Sequence, residues 1–104
     1  MKIRPSQLTL NELRKNGYLC QVVERYNSFA HFRVDLFGII DIVAIKDNEI
    51  LGIQATSAVN HTTRVIKARK SDTLSKWLKA GGKFQVWSWA KKNNKWEVRK
   101  EELC

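Results

Sequence analysis

Three oxygen-bearing side chains, Glu24, Asp41 and Gln54, stand on or at the end of apolar stretches of this chain. Two of them belong to the segment Arg33–Ser57, where the apolar runs Phe37–Ile45 and Ile50–Ala55 flank the turn-forming Lys46-Asp47-Asn48-Glu49. That pattern predicts a β-hairpin. Along the pleat Asp41 shares a face with Ile39, Val43 and Ile45, while Gln54 shares one with Gly52 and Thr56. Strands paired about that turn bring Asp41 and Gln54 together. A carboxylate among β-branched residues costs several kcal/mol unless it is paired, protonated or bound to a cation. Hard oxygen donors suit Mg²⁺ or Mn²⁺, which keep several waters and bridge to phosphate. Such an ion stabilises charge on a scissile phosphate and lowers the pKa of an attacking water, the two requirements of phosphodiester hydrolysis.

The elements that must position these groups follow from the rest of the chain. Leu8–Leu13 reads as a helix start with Thr9 as N-cap, Glu12 as its capping-box partner, Leu8 and Leu13 as the staple, and Ser6 as a competing cap. Gly17 suits the stop after Arg14-Lys15-Asn16. Tyr18–Tyr26 reads as a strand with Glu24 near its end, and Asn27–Arg33, which lacks periodicity, as a loop over or beside the site. After the central hairpin, Asn60 or Ser57 caps a helix from about His61 to Lys70. Ser71 opens a second helical piece, Asp72–Ala80, which Gly81-Gly82 ends. Phe84–Ala90 is a strand, Lys91–Lys95 a basic turn and Trp96–Val98 a last strand. Trp87 and Trp89 share a face, where covering the sheet under a helix is a commoner use than stacking on bases. The order is α-β-β-β-α-β-β, and the apolar central strand suits an α/β sandwich with a sheet covered on both faces.

Whole-chain properties narrow the function. At 104 residues the chain makes one domain, and 43% hydrophobic residues with four Trp exclude disorder. No run of 18 apolar residues and no leader-like N-terminus is present, so a soluble, cytoplasmic protein without membrane contact is expected. Cys20 and Cys104 form neither a disulfide framework nor a metal spacing; a buried small hydrophobe and a free terminal thiol are expected. His31 and His61 are isolated in sequence, so zinc is unsupported and surface or capping roles are expected. Nineteen Lys+Arg against ten Asp+Glu give a net charge of +9, which favours a polyanionic partner, usually nucleic acid.

The acidic residue after the first helix, Asp41 on a strand, a short turn and a second strand ending in Gln54-x-Thr56 together resemble the PD-(D/E)XK nuclease superfamily. Within it, the small phage and archaeal Holliday-junction-resolvase-like and virus-type replication-repair nucleases look most similar. The resemblance covers roughly Leu10 to Trp89. It implies a restriction-endonuclease-like fold with a central mixed sheet flanked by helices, divalent-metal-dependent cleavage of DNA, and a homodimer. On that analogy Glu24 takes the position of the first acid, Asp41 the invariant aspartate and Gln54 the (D/E) position, so that all three are ligands of Mg²⁺ or Mn²⁺. Ile40 replaces the family's Pro. Thr56 replaces its Lys, and Thr supplies no cation to orient water or offset developing charge.

A basic residue of the following helix can substitute in space. Lys67 is the first choice for that amine, with Arg64 beside it three residues away. Asn60, Arg64, Lys67, Arg69 and Lys70 are the candidate nucleic-acid contacts, with the Lys91–Lys95 turn. Asp35 is a further acid, either ligand or loop cap, ranked below the other three. Structural roles compete: Asp41 pairing with Arg33 or Arg64, Gln54 satisfying backbone groups, Glu24 a solvated strand end. The leading functional expectation is a Mg²⁺-dependent DNA endonuclease, structure-selective because so small a domain has little surface for reading sequence. The alternatives are a non-catalytic nucleic-acid-binding module of the same fold and a subunit of a larger recombination or restriction assembly.

Overall fold

The structure, a computed structural model, describes residues 3–104. Helix α1 spans Pro5–Lys15. Proline at the first helical position is pre-organised and lacks only an N–H that would have no partner there. The helix therefore starts a turn before the expected Thr9 cap, with Arg4 as N-cap residue, and Ser6 lies within it. Thr9 is fully buried and donates its hydroxyl proton to the Pro5 carbonyl at 2.8 Å, so the capping box with Glu12 does not form. Gly17, at φ +87°, ends the helix in the left-handed conformation that favours glycine.

Seven strands follow: β1 Leu19–Val22, β2 Arg25–Asn27, β3 Phe32–Val34, β4 Ile42–Lys46, β5 Glu49–Ser57, β6 Lys83–Lys92 and β7 Lys95–Leu103. Between β5 and β6 lie a 3-10 turn (Ala58–Asn60), helix α2 (His61–Arg69) and helix α3 (Asp72–Lys79). Five strands form a mixed sheet in the order β1-β4-β5-β6-β7, with β5 and β6 parallel and the other pairs antiparallel. The α2–α3 segment is the crossover that parallel pairing requires. Helix α2 stops at Lys70, and Ser71 caps α3 by accepting from the Thr73 N–H, so the helical region is broken where expected.

Each face of the sheet is covered. Leu8, Leu10 and Leu13 of α1 pack on Ile42, Ala44, Leu51, Ile53, Trp87 and Trp89. On the other face Ala68 of α2 and Leu74 of α3 join Ile39, Ile40, Phe84, Val86 and Leu103. Trp89 is buried and its indole N–H donates to the Thr9 hydroxyl at 2.9 Å, so both tryptophans of β6 serve the α1 core. Gly52 lies on the α3 face, where an added Cβ would stand 2.8 Å from Ile40 Cδ1 and 3.2 Å from the Trp77 ring. Gly52→Val should destabilise the fold by about 1–3 kcal/mol, read as a lowered midpoint in chemical denaturation.

Other expectations need correction. The run Tyr18–Tyr26 is not one strand: β1 leaves the sheet after Val22, and the chain turns outward at Glu24 into the β2–β3 hairpin, which pairs with no third strand among the described residues. The segment Asn27–Arg33 is thus the end of a hairpin rather than a free loop. The run Phe37–Ile45 becomes a strand only from Ile42, because Leu36–Ile40 closes a tight turn: Leu36 N–H donates to Ile40 O at 2.8 Å, and Ile40 N–H to Leu36 O at 3.0 Å. Gly38, at φ +79°, supplies the left-handed backbone this turn needs. The last strand is longer than Trp96–Val98, its charged residues suiting an exposed edge. No helix of the described residues is long and apolar enough to cross a membrane.

Candidate metal centre

Asp41 sits one residue ahead of β4, and its backbone is fixed on both sides. Its N–H donates to Ile53 O at 2.9 Å and its carbonyl accepts from Val23 N–H at 2.7 Å. The side chain is 5% exposed. Its Oδ2 accepts from the Gln54 amide at 2.9 Å and from the Ala55 N–H at 3.0 Å, so Asp41 and Gln54 do meet on neighbouring strands. Neither Arg33 nor Arg64 forms an ion pair with Asp41 among the described residues.

Asp35 and Glu24 complete the cluster. Glu24, Asp35 and Asp41 each bring a carboxylate oxygen within 4.8 Å of the others. Asp35 and Asp41 flank the closed Leu36–Ile40 turn, which brings two residues six apart in sequence to one place. Glu24 and Asp35 sit at the two feet of the β2–β3 hairpin, whose pairing of Arg25 with Val34 sets them side by side. Asp35, which the sequence ranks below the other acids, thus stands among them. Gly38 inside the Phe37–Ile45 run is the sequence signal of the turn that brings it there.

Crowding alters the chemistry of the buried acid. Burial, then a hydrogen bond with Asp35, then the negative charges of Asp35 and Glu24 push the Asp41 carboxyl up to about 8, against a smaller opposing pull from the Ala55 N–H. Near neutral pH Asp41 therefore keeps its proton unless a cation takes its place. Gln54 faces the acids with its amide nitrogen, donating also to Asp35 at 3.3 Å. In that orientation it holds two carboxylates together, and it offers oxygen to a cation only with the amide turned over.

Helix α2 places Lys67 beside the cluster, its ammonium 4.0 Å from Asp35 Oδ2. Thr56 is buried at the edge of the site. An open cleft of about 470 Å³ gives access to it, lined by Glu24, Asp41, Arg33, Thr56, Asn60 and the start of α1 at Arg4-Pro5-Ser6. Arg33 ion-pairs with Glu24 at 3.5 Å. Asn60 lies at the cleft and donates to the Ser57 hydroxyl at 3.2 Å. Arg64 is half-buried and Lys70 exposed on α2's end, while Arg69 reaches Glu101 of β7 at 4.0 Å. Residues that sequence reasoning missed at the cleft are Arg4 and Ser57, while Arg33 lines it as expected of the Asn27–Arg33 segment.

His61 is not at the surface. It is 3% exposed at the start of α2, with Nδ1 bonded to the Ser88 hydroxyl and Nε2 2.8 Å from Glu101 Oε1. That hydrogen bond is the main reason the Glu101 carboxyl is held below the ordinary carboxylate range. The network ties α2 to β6 and β7. His31 is exposed in the β2–β3 turn, with Nδ1 3.3 Å from the Tyr26 hydroxyl.

Comparison of the chain with family models, curated proteins and solved structures returns no match.

Proposed function

We propose that the protein is a divalent-metal-dependent nuclease of restriction-endonuclease-like fold that hydrolyses phosphodiester bonds in DNA, with a preference for branched forms. The observation that carries the reading is the convergence of Glu24, Asp35 and Asp41 within 4.8 Å beside a solvent-open cleft that Glu24 and Asp41 line, on a domain of net charge +9. A strongly basic protein that gathers three carboxylates, and raises one of them to about 8, has built a site whose repulsion a small hard cation relieves.

Glu24, Asp35 and Asp41 would hold Mg²⁺ or Mn²⁺, with Gln54 keeping the Asp35 and Asp41 side chains in register. When bound, the ion supplies charge stabilisation on the scissile phosphate and a lowered pKa for the attacking water. Arg33 and Arg4, at the cleft wall, hold the phosphate backbone against it. Lys67 brings positive charge to Asp35 from α2, and Thr56 supplies none from the cleft. The expected Lys91–Lys95 turn is shorter, Asn93-Asn94 alone, with Lys91 and Lys92 ending β6 and Lys95 opening β7, and the lysines beside it extend the binding surface. Strand β6 runs three residues past the Ser57–Trp89 pair, so the turn projects from the same sheet end as the cleft. Two copies would be needed to cut two strands symmetrically.

Titrating Mn²⁺ against a labelled branched DNA tests this directly. Cleavage should require the metal, stop with EDTA, and fall on the order of a thousandfold in Asp41→Ala, while DNA binding persists. Cleavage that survives both EDTA and Asp41→Ala removes the proposal. A second reading, a non-catalytic nucleic-acid-binding module, draws on Thr56 and on the lysine already paired with Asp35. It predicts salt-sensitive binding indifferent to EDTA and no cleavage at any Mn²⁺ concentration.

A further inference from the structure

The β2–β3 hairpin stands apart from the five-stranded sheet and displays rings to solvent. Phe29 at its tip is 96% exposed, and Tyr26 and Phe32 are each more than half exposed. An isolated two-stranded hairpin is marginal by itself, and this one is braced. The Asn27 side chain accepts from the Phe29 and Ala30 N–H groups at 3.0 and 3.1 Å, and its carbonyl from His31 N–H at 2.8 Å. The Arg33–Glu24 pair fixes the foot. A held tip with an uncovered ring is a presented surface, because solvent exposure of such rings gains nothing for the fold.

Charge decides among partners. From Arg25 to Val34 the chain carries Arg25, Arg33 and His31 and no Asp or Glu. A second copy of this arm would meet it cation to cation, whereas a nucleic-acid strand offers both phosphates and ring faces. Tyr26 pairs across the hairpin with Arg33, which lines the acidic cleft, so the face of the arm that carries Tyr26 leads back to the carboxylates, and Phe32 stands on the other face. Strand β2 carries the arm out from Arg25 to Asn27, about 7 Å at the rise of an extended strand, before the turn that holds Phe29. That is roughly two nucleotide steps at the spacing of one strand. Intact duplex hides its base faces, so the surface fits unpaired bases.

We infer that the β2–β3 arm is a stacking finger that engages unpaired bases of a nucleic acid whose backbone lies in the acidic cleft. This rests on the nucleic-acid reading of the cleft and adds the element that recognises unpaired structure.

The experiment is fluorescence anisotropy in EDTA of the wild type, Phe29→Ala and Phe29→Trp, against a forked DNA and its fully paired counterpart. A 2-aminopurine in the unpaired arm reports stacking, and sedimentation is run in parallel. Phe29→Ala should lose about 5- to 150-fold of fork affinity with little change on duplex, and Phe29→Trp should retain it with the 2-aminopurine quenched. Unchanged fork affinity, or equal losses on fork and duplex, overturns the inference. So does a Phe29→Ala protein that dissociates from dimer to monomer with its DNA affinity intact, which would make the arm a self-association surface. Absence of metal-dependent cleavage leaves this measurement untouched, while failure of the wild type to bind either DNA overturns the finger together with the nucleic-acid reading of the cleft.

Discussion

Asp41→Asn should make the chelator-treated protein more stable at pH 8 while abolishing its response to Mn²⁺. The Asp41 carboxyl is raised from an ordinary 3.8 to about 8 in the folded chain. Between those values the folded state keeps a proton that the unfolded state has released, so this group's contribution falls as pH rises from about 4 to 8 and is constant outside that window. The slope approaches about 1.4 kcal/mol per pH unit, so the loss over the window is several kcal/mol. Asn keeps the shape, and nothing is left to titrate. Melting curves in EDTA from pH 5 to 8.5 should decline for the wild type and run flatter for the variant. Added Mn²⁺ should raise the wild-type midpoint most at high pH, where the ion no longer competes with a proton. A wild-type midpoint independent of Mn²⁺ at pH 8, at concentrations up to millimolar, would contradict the metal assignment.

The second large effect is at the other side of α2. His61→Ala should cost about 2–4 kcal/mol, because it opens a cavity and strips two hydrogen bonds, leaving the buried Ser88 hydroxyl without its imidazole partner. Denaturant unfolding reads this as a lowered midpoint with an unchanged slope. His61→Asn, which keeps a polar group at the site, should recover part of the loss. A cost below about 0.5 kcal/mol for His61→Ala would show that the network does not anchor the helix.

Legibility in the sequence varied with how local the deciding interaction was. The β4–β5 hairpin, the crossover helices broken at Ser71 and the β6–β7 pair were readable because their turn and cap residues stand next to the periodic runs they end. The meeting of Asp41 and Gln54 was readable too, since pairing about the Asp47-Asn48 turn fixes the register. The start of α1 was misplaced because Thr9-x-x-Glu12 imitates a cap, and only the distant Trp89 explains a buried threonine inside the helix. The place of Asp35 was harder to read. A strand pattern and a tight turn share the same apolar residues there, and the backbone bonds of Leu36 with Ile40 decide between them. His61 looked solitary because its partners, Ser88 and Glu101, lie 27 and 40 residues away. The β2–β3 arm had no readable signal beyond Asn27, since three-residue strands are too short to show a period.

The parallel β5–β6 pair has a consequence for how the molecule assembles. All three carboxylates and Gln54 come from residues 24–54, whose strands join through short antiparallel connections, so the acid pocket closes only small loops. Lys67 reaches Asp35 from within the long crossover, whose docking waits on a pairing between strands separated by some 25 residues of chain. On contact order the oxygen cage should assemble before the amine beside it, which depends on the longer-range β5–β6 pairing.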